Sequence, residues 1–172
     1  MQERWKPSVT VAAIIERQVD GQRQFMLVEE LTRDGLRFNN PAGHLDPGES
    51  PIEGCAREAL VETAHLFKPT ALVGIYLSRF EKRGPDGQSE DITYLRFAFC
   101  GELGELQAGR QLDEGIVRTV WMTPEEIRAC RDRHRSPLLL RCMEDHLAGK
   151  RYPLGLVTTD PSVYELGLVS PA

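Results

Sequence analysis

Two glutamates, Glu58 and Glu62, lie four positions apart, with Arg57 beside the first and a third acid, Glu49, upstream. Residues at that spacing share one face of a helix, so a helix here presents a pair of carboxylates. Like charges so placed cost an isolated helix only a few tenths of a kcal/mol, so the pair alone says little. Its company says more, because a Gly-containing turn precedes it and a guanidinium adjoins it. Paired carboxylates suit Mg²⁺, which prefers carboxylate oxygen and water as ligands. A pyrophosphate is the kind of substrate that needs such an ion, because its own charge repels hydroxide. A divalent cation neutralises that charge and lowers the pKa of a bound water, and a spare carboxylate can take the proton. Arg57 can hold one of the acids by a two-pronged pair.

The flanking residues predict the elements that position this set. Asp46-Pro47-Gly48 is a tight turn, and Ser50, Pro51 and Glu53 form a capping box with Pro at the first helical position. A helix is expected over 51–64, with Ile52, Ala56, Ala59, Leu60 and Thr63 on one face and Glu58 and Glu62 at its edge. Residues 9–16 are β-branched and apolar and read as a buried strand. Asp20-Gly21 turns the chain back into a strand over 25–31, and Arg33-Asp34-Gly35 turns it again. The stretch 38–44 is broken by Pro41 and Gly43 and reads as loop with at most a brief strand. Strands follow over 71–80, 93–102 and 116–122, and residues 84–89 read as a mobile hairpin loop. Thr123 starts a short helix, and Arg135-Ser136-Pro137 starts another that reaches about 148. Mixed strands and helices place the chain in the α/β (α+β) class, with a mixed β-sheet and helices on both faces. One domain is expected over 6–157, followed by a loosely ordered tail over 158–172.

The chain of 172 residues is 41% hydrophobic and 27% charged, an ordinary globular composition. It carries no apolar run long enough for a membrane span and no signal-peptide pattern at its start, so the cytoplasm is the expected location. A net charge of −5 argues against a broad electrostatic grip on nucleic acid. It also means that cations, from arginines or a bound metal, must mediate any dealing with phosphates. The four cysteines form no CxxC pair. Cys130 and Cys142 each have a histidine four residues on, His134 and His146, a zinc-like spacing that reads more simply as coincidence between reduced thiols and neighbouring histidines.

The run from Gly43 through Glu49 and Arg57-Glu58 to Glu62 resembles the Nudix box, Gly-x5-Glu-x7-Arg-Glu-(apolar)-x-Glu-Glu-x-Gly-(apolar). Gly43, Glu49, Arg57, Glu58, Ala59 and Glu62 match it. The resemblance implies an α/β/α sandwich with a strand–loop–helix site, Mg²⁺ (or Mn²⁺) bound at the Glu58 and Glu62 positions with Gly43 beside them, and Glu49 paired with Arg57 to brace loop against helix. Three positions depart from the pattern. Val61 stands for the first Glu of the Glu-Glu pair, Ala64 for the box Gly, and His65 for the last apolar residue. Val61 removes a possible ligand. Ala64 enters a left-handed cap less easily than Gly, so the helix is expected to run on by a turn. Short segments elsewhere, including Pro41-Ala42-Gly43-His44-Leu45, Leu95-Arg96-Phe97 and Gly149-Lys150-Arg151-Tyr152-Pro153-Leu154, look like one bacterial subgroup of this family. That subgroup comprises phosphatases of nucleoside di- and triphosphates and of thiamin-pathway pyrimidine pyrophosphate.

Further residues are candidates on their own chemistry. Asp113 and Glu114 precede the strand over 116–122, and the family often draws a further metal-site acid from such a loop, with Glu114 the better placed by its distance before Trp121. His44, following the box Gly, is a candidate for substrate contact. Arg96 on its strand and Arg135 with Ser136 at a helix start are candidates to receive a phosphate end. One or two of Tyr76, Phe80, Tyr94, Phe97 and Phe99 can stack on a base. The expected partner is a small phosphorylated molecule, the chain itself being a monomer or homodimer. Two rival readings keep the same fold: a nucleotide-sensing module, favoured by Val61, Ala64 and His65, and an RNA end-processing enzyme, disfavoured by the acidic charge.

Overall fold

The computed structural model describes residues 4–83 and 89–165. Its strands are β1 (Ser8–Val19), β2 (Gln22–Thr32), β3 (Gly35–Asn39), β4 (Ala42–His44), β5 (His65–Arg83), β6 (Ser89–Leu106) and β7 (Ile116–Met122). The helices are α1 (Pro51–Thr63), α2 (Pro124–Ala129) and α3 (Pro137–Leu147). The stretch expected to be broken loop holds two brief strands, β3 and β4. The hairpin connection over 84–88 and the tail beyond 165 lie outside the described residues, and the described tail carries a short 3-10 turn at Pro161–Tyr164.

β1 is the hub of the sheet. It runs parallel to β6, from Ser8↔Tyr94 to Ile14↔Cys100. Its other edge is shared: β4 takes Thr10 to Ala12, and β2 takes Ile15 to Val19. β2 in turn pairs with β7 along one edge and with β1 and then β3 along the other. The sheet therefore forks between Ala12 and Ile15, and the acids of α1 arrive on the β4 arm.

Helices cover both faces, which explains why β1 reads as one unbroken apolar run rather than an alternating one. Ala12 and Ile14 join Phe25, Val73, Ile127, Leu139 and Met143 on the side of α2 and α3. Val11, Ala13 and Ile15 join Met26, Cys55, Ala59 and Phe99 on the side of α1. Removing a fully buried side chain from either layer, as in Leu139→Ala, costs about 2–5 kcal/mol.

Helix α1 starts at the expected cap, where the Ser50 hydroxyl accepts from Glu53 N and the Glu53 carboxylate accepts from Ser50 N. Two expectations about it need correction. Its buried residues are Gly54, Cys55, Glu58, Ala59, Glu62 and Thr63, so the carboxylates sit inside the packed face and not at its edge. A wheel built on apolarity misplaces them because it assigns charge to solvent. The helix also does not run on: Ala64 adopts φ 58° and ψ 13°, the left-handed cap that a glycine would take, and its N–H bonds Leu60 O. The chain must turn at once into β5, and the bond from Gln107 N to Ala64 O at 2.7 Å fixes the turn.

Candidate active site

Strand β4 passes against α1 so closely that a Cβ placed on Gly43 would lie 2.3 Å from the carboxyl carbon of Glu58. A side chain there would displace the Glu58 carboxylate from its position. One residue back, Ala42 N donates to Glu62 Oε2 at 2.8 Å. The strand thus positions one carboxylate by its backbone and admits the other by its missing side chain.

Arg57 ties the loop before α1 to the helix. Its Nε and Nη2 donate to the two oxygens of Glu49 at 2.9 and 2.7 Å, and Nη1 donates to Glu58 Oε1 at 2.6 Å. Nη2 also reaches the carbonyl of His44 at 2.9 Å. Glu49 accepts from Asp46 N as well, at 2.8 Å. The guanidinium beside Glu49 holds that carboxyl below its usual range.

Glu58 and Glu62 are shifted the other way. Burial is the main cause for both, because a desolvated carboxylate is less stable than its acid. Glu58 is raised by it in spite of Arg57. Glu62 is pushed up to about 8, with the charges of Glu58, Glu30 and Asp113 adding to burial and the bond from Ala42 N opposing it. Among the described residues no group of three or more His, Cys, Asp or Glu side chains is placed to hold a metal ion. Of the two loop acids it is Asp113, and not Glu114, whose charge bears on Glu58 and Glu62. Both are exposed, and Asp113 is anchored through its N–H on Val61 O at 2.9 Å.

Across the fork lies a second polar set, assembled from elements far apart in the chain. Glu30 of β2 is half-buried, and desolvation raises its carboxyl against the opposing influence of Arg135, Asn39 and Arg96. Arg135 Nε is 3.6 Å from Glu30. Arg96 is only 8% exposed, and its Nε and Nη1 have no hydrogen-bond partner, like the buried oxygens Thr10 Oγ1, Asn39 Oδ1 and Asn40 Oδ1. Thr10 and Arg96 are in register on neighbouring strands, so their side chains share a face. Buried polar groups are nearly always paired, so these unpaired donors and acceptors set the region apart from the rest of the interior. The available signal was the pair Glu29-Glu30 inside an otherwise apolar strand, where a charge needs a reason. Glu29 has one of another kind, since Arg118 and Arg133 both pair with it.

The remaining sequence candidates separate clearly. His44 is exposed, with its ring 5.8 Å from that of Tyr94. Ser136 does not face the site with a free hydroxyl; it is buried and accepts from Leu138 N at 3.0 Å as the cap of α3. Arg133 stacks on Phe38 at 4.2 Å. Of the histidines in the zinc-like spacings, His134 Nε2 lies 2.9 Å from Ile127 O and 3.8 Å from Cys130 Sγ, and His146 Nε2 lies 2.6 Å from Glu16. Tyr76 is tied to Asp145 at 3.0 Å.

A forked mixed sheet between helical layers, with a loop–helix that delivers two buried carboxylates beside a glycine strand, defines the Nudix class of fold and site. The NUDIX domain model matches residues 6–142. The chain is 31% identical over 153 residues to "Phosphatase NudJ" of Escherichia coli (strain K12), covering 89% of this chain and 92% of that one. A solved NUDIX hydrolase from Nitrosomonas europaea shares 47% identity at a TM-score of 0.79, covering 90% of this chain and 98% of the other. The NUDIX domain of Shewanella oneidensis NrtR, solved with ADP ribose, shares the fold at 15% identity and a TM-score of 0.63, covering 84% of this chain and 90% of that one. The chain belongs to the Nudix hydrolase family, enzymes that act on phosphorus-containing anhydrides.

Proposed function

We propose that this protein is a Mg²⁺-dependent hydrolase of small nucleotide-like di- and triphosphates, in which water attacks phosphorus. The observation that carries this reading is the pair of buried, upward-shifted carboxylates, Glu58 and Glu62, fixed on one helix face by Arg57 and by Ala42 N–H. Such a pair is unfavourable alone and becomes favourable beside a hard cation. Two carboxylates without a cage suit Mg²⁺, which keeps several waters and takes substrate phosphate oxygens as further ligands; Mn²⁺ accepts the same donors. When bound, the ion supplies charge neutralisation at phosphorus and a water of lowered pKa.

The chain's own residues do the rest. Gly43 leaves the space that Glu58 fills, and Glu49 with Arg57 keeps that carboxylate from turning away. The proton released by the attacking water passes to a carboxylate of the cluster, which Asp113 joins from the later loop. Arg96 and Arg135 receive phosphate oxygens, and His44 flanks the path. The similarity to a phosphatase supports release of orthophosphate from simple nucleotides. No helix of the described residues is long and apolar enough to cross a membrane, which supports the cytoplasm as the place of action. The catalytic unit spans 6–157, with 158–172 a tail, and it works as a monomer or homodimer.

The test is phosphate release with Mg²⁺ against nucleoside di- and triphosphates, nucleotide sugars and pyrimidine diphosphates, detecting orthophosphate and pyrophosphate separately. Glu58→Gln should cut turnover by about 100-fold or more with the circular dichroism spectrum unchanged. Equal turnover in wild type and variant would overturn the assignment. Val61, Ala64 and His65 favour a second reading, a sensing module, which would bind one of these compounds and release no product.

A further inference from the structure

Strand β5 ends the sheet, with β6 along one side only. An exposed edge strand is a template for another chain, and proteins blunt it with bulges, prolines, lysines or a covering segment. The first half of β5 carries all four. Its register with β6 shifts at His65/Phe67, Pro69/Ala71 and Leu72/Gly74. Lys68 and Pro69 lie within it. Tyr152 covers its outer side at Leu72, through backbone bonds of 2.9 and 2.8 Å. From Ile75 onward none of these devices recurs. The ladder runs unshifted from Ile75↔Phe97 to Arg83↔Ser89, and among the described residues nothing pairs with its outer side.

This second half is also apolar where it meets water. Ile75 is 53% exposed, Leu77 65% and Phe80 38%. Ile75 faces Phe97 and Leu77 faces Leu95 across the ladder, so the apolar surface is continuous there. Monomeric proteins seldom leave such surface in one piece.

Charge adds a second mark. Side chains alternate along an unshifted strand, so Ile75, Leu77, Arg79 and Glu81 share one face. Glu81 stands directly opposite Asp91, and like charges so placed are destabilising. Arg79 gives Nε and Nη2 to Asp91 at 2.7 and 2.6 Å. That fork leaves Glu81 out and, among the described residues, leaves Nη1 unused.

We propose that the second half of β5 is the interface of a homodimer, in which two copies pair edge to edge and antiparallel over 77–83 about a two-fold axis at Phe80. A two-fold contact is self-complementary, so each residue meets the one equally far beyond the axis. Opposed residues must also point to the same face, which places the axis on a residue. At Phe80 the axis sets Arg79 of each copy opposite Glu81 of the other, twice, and brings the two Phe80 rings side by side. Leu77 falls opposite position 83 of the other copy, inside the paired stretch. An axis at Arg79 would oppose two guanidinium groups, and an axis at Leu77 or Ser78 would leave Glu81 against Val73 or Ile75. The edge is thus complementary in charge to itself, and this identifies the occupant as a second copy of the chain. The inference does not rest on the hydrolase reading.

The experiment is light scattering across a dilution series of wild type, Arg79→Glu, Glu81→Arg and the double exchange. Wild type should have twice the mass of the chain. Each single reversal sets like charges opposite each other twice and should raise the dissociation constant at least about 10-fold. The double exchange should return it toward the wild-type value, since the cross-pairs are restored and a cation still stands beside Asp91 within each copy. Circular dichroism of the single variants should match wild type, showing that they fold. Backbone amides over 77–83 should exchange with solvent more slowly in concentrated than in dilute wild type. A wild type of single-chain mass throughout would overturn the proposal. So would single reversals that dimerise as wild type does, or a double exchange that fails to recover the dimer. None of these readouts involves turnover, so a failure of the hydrolase reading would leave them unchanged.

Discussion

Arg57 holds Glu49, Glu58 and the His44 carbonyl with one guanidinium, and no ammonium can copy that geometry. Arg57→Lys keeps the charge and loses the fork, so it should lower kcat at least about 10-fold while the melting temperature falls by only a few degrees; a variant with full activity would show that the brace is dispensable. Glu62 gives a pH signature. Its native pKa is about 8 against an ordinary 4.5, so between those values the native state keeps a proton that the unfolded chain has lost. Stability must therefore fall as pH rises through that window, most of it present below 4.5 and lost by about 8. Thermal melts of the metal-free protein from pH about 5 to about 8 should slope downward, and Glu62→Gln should flatten the slope. At this scale the sequence was legible where the chemistry is local: Glu49, Arg57, Glu58 and Glu62 lie within one loop and helix, and their spacing is itself the geometry. Glu30, Asn39 and Arg96 were not, because only the fork of the sheet brings β2, β3 and β6 together around them.

The elements were readable wherever a start or stop has its own chemistry. Both capping boxes, at Ser50 and Thr123, open helices where the pattern put them, and β7 keeps its predicted bounds. The hairpin of β5 and β6 is longer than its apolar stretches suggested, since backbone pairing continues from Phe80↔Ile92 to Arg83↔Ser89 past the last core residue. The end of α1 was misjudged for a reason worth measuring. A left-handed alanine costs about 1 kcal/mol relative to glycine, and the turn into β5 imposes it. Ala64→Gly should therefore stabilise the protein by roughly 0.5–1 kcal/mol in urea unfolding, without changing kcat. A destabilised variant would mean that the buried Ala64 methyl contributes more than the strain it carries.

For the molecule as a whole, the proposed metal-dependent reading makes stability depend on cation. Mg²⁺ at saturating concentration should raise the melting temperature of wild type, since a ligand that binds only the native state stabilises it, and the rise should vanish in Glu62→Gln; an equal rise in the variant would place the ion elsewhere. The two-layer core and helices on both faces followed from the patterning, because a strand apolar on every residue needs cover on two sides. The fork did not, since nothing local reports that β1 shares one edge between β2 and β4. The pairing of β1 with β6 has a consequence in time. Ser8 meets Tyr94 across half the length of the chain, and such distant partners close slowly because the loop between them must first lose its freedom. On a ribosome, the box helix is made well before β6 emerges, so the acids can assemble against β4 while the far edge of β1 is still bare. For that interval the growing chain offers an unpaired apolar strand, and its yield at high expression temperature should depend on how soon β6 arrives to cover it.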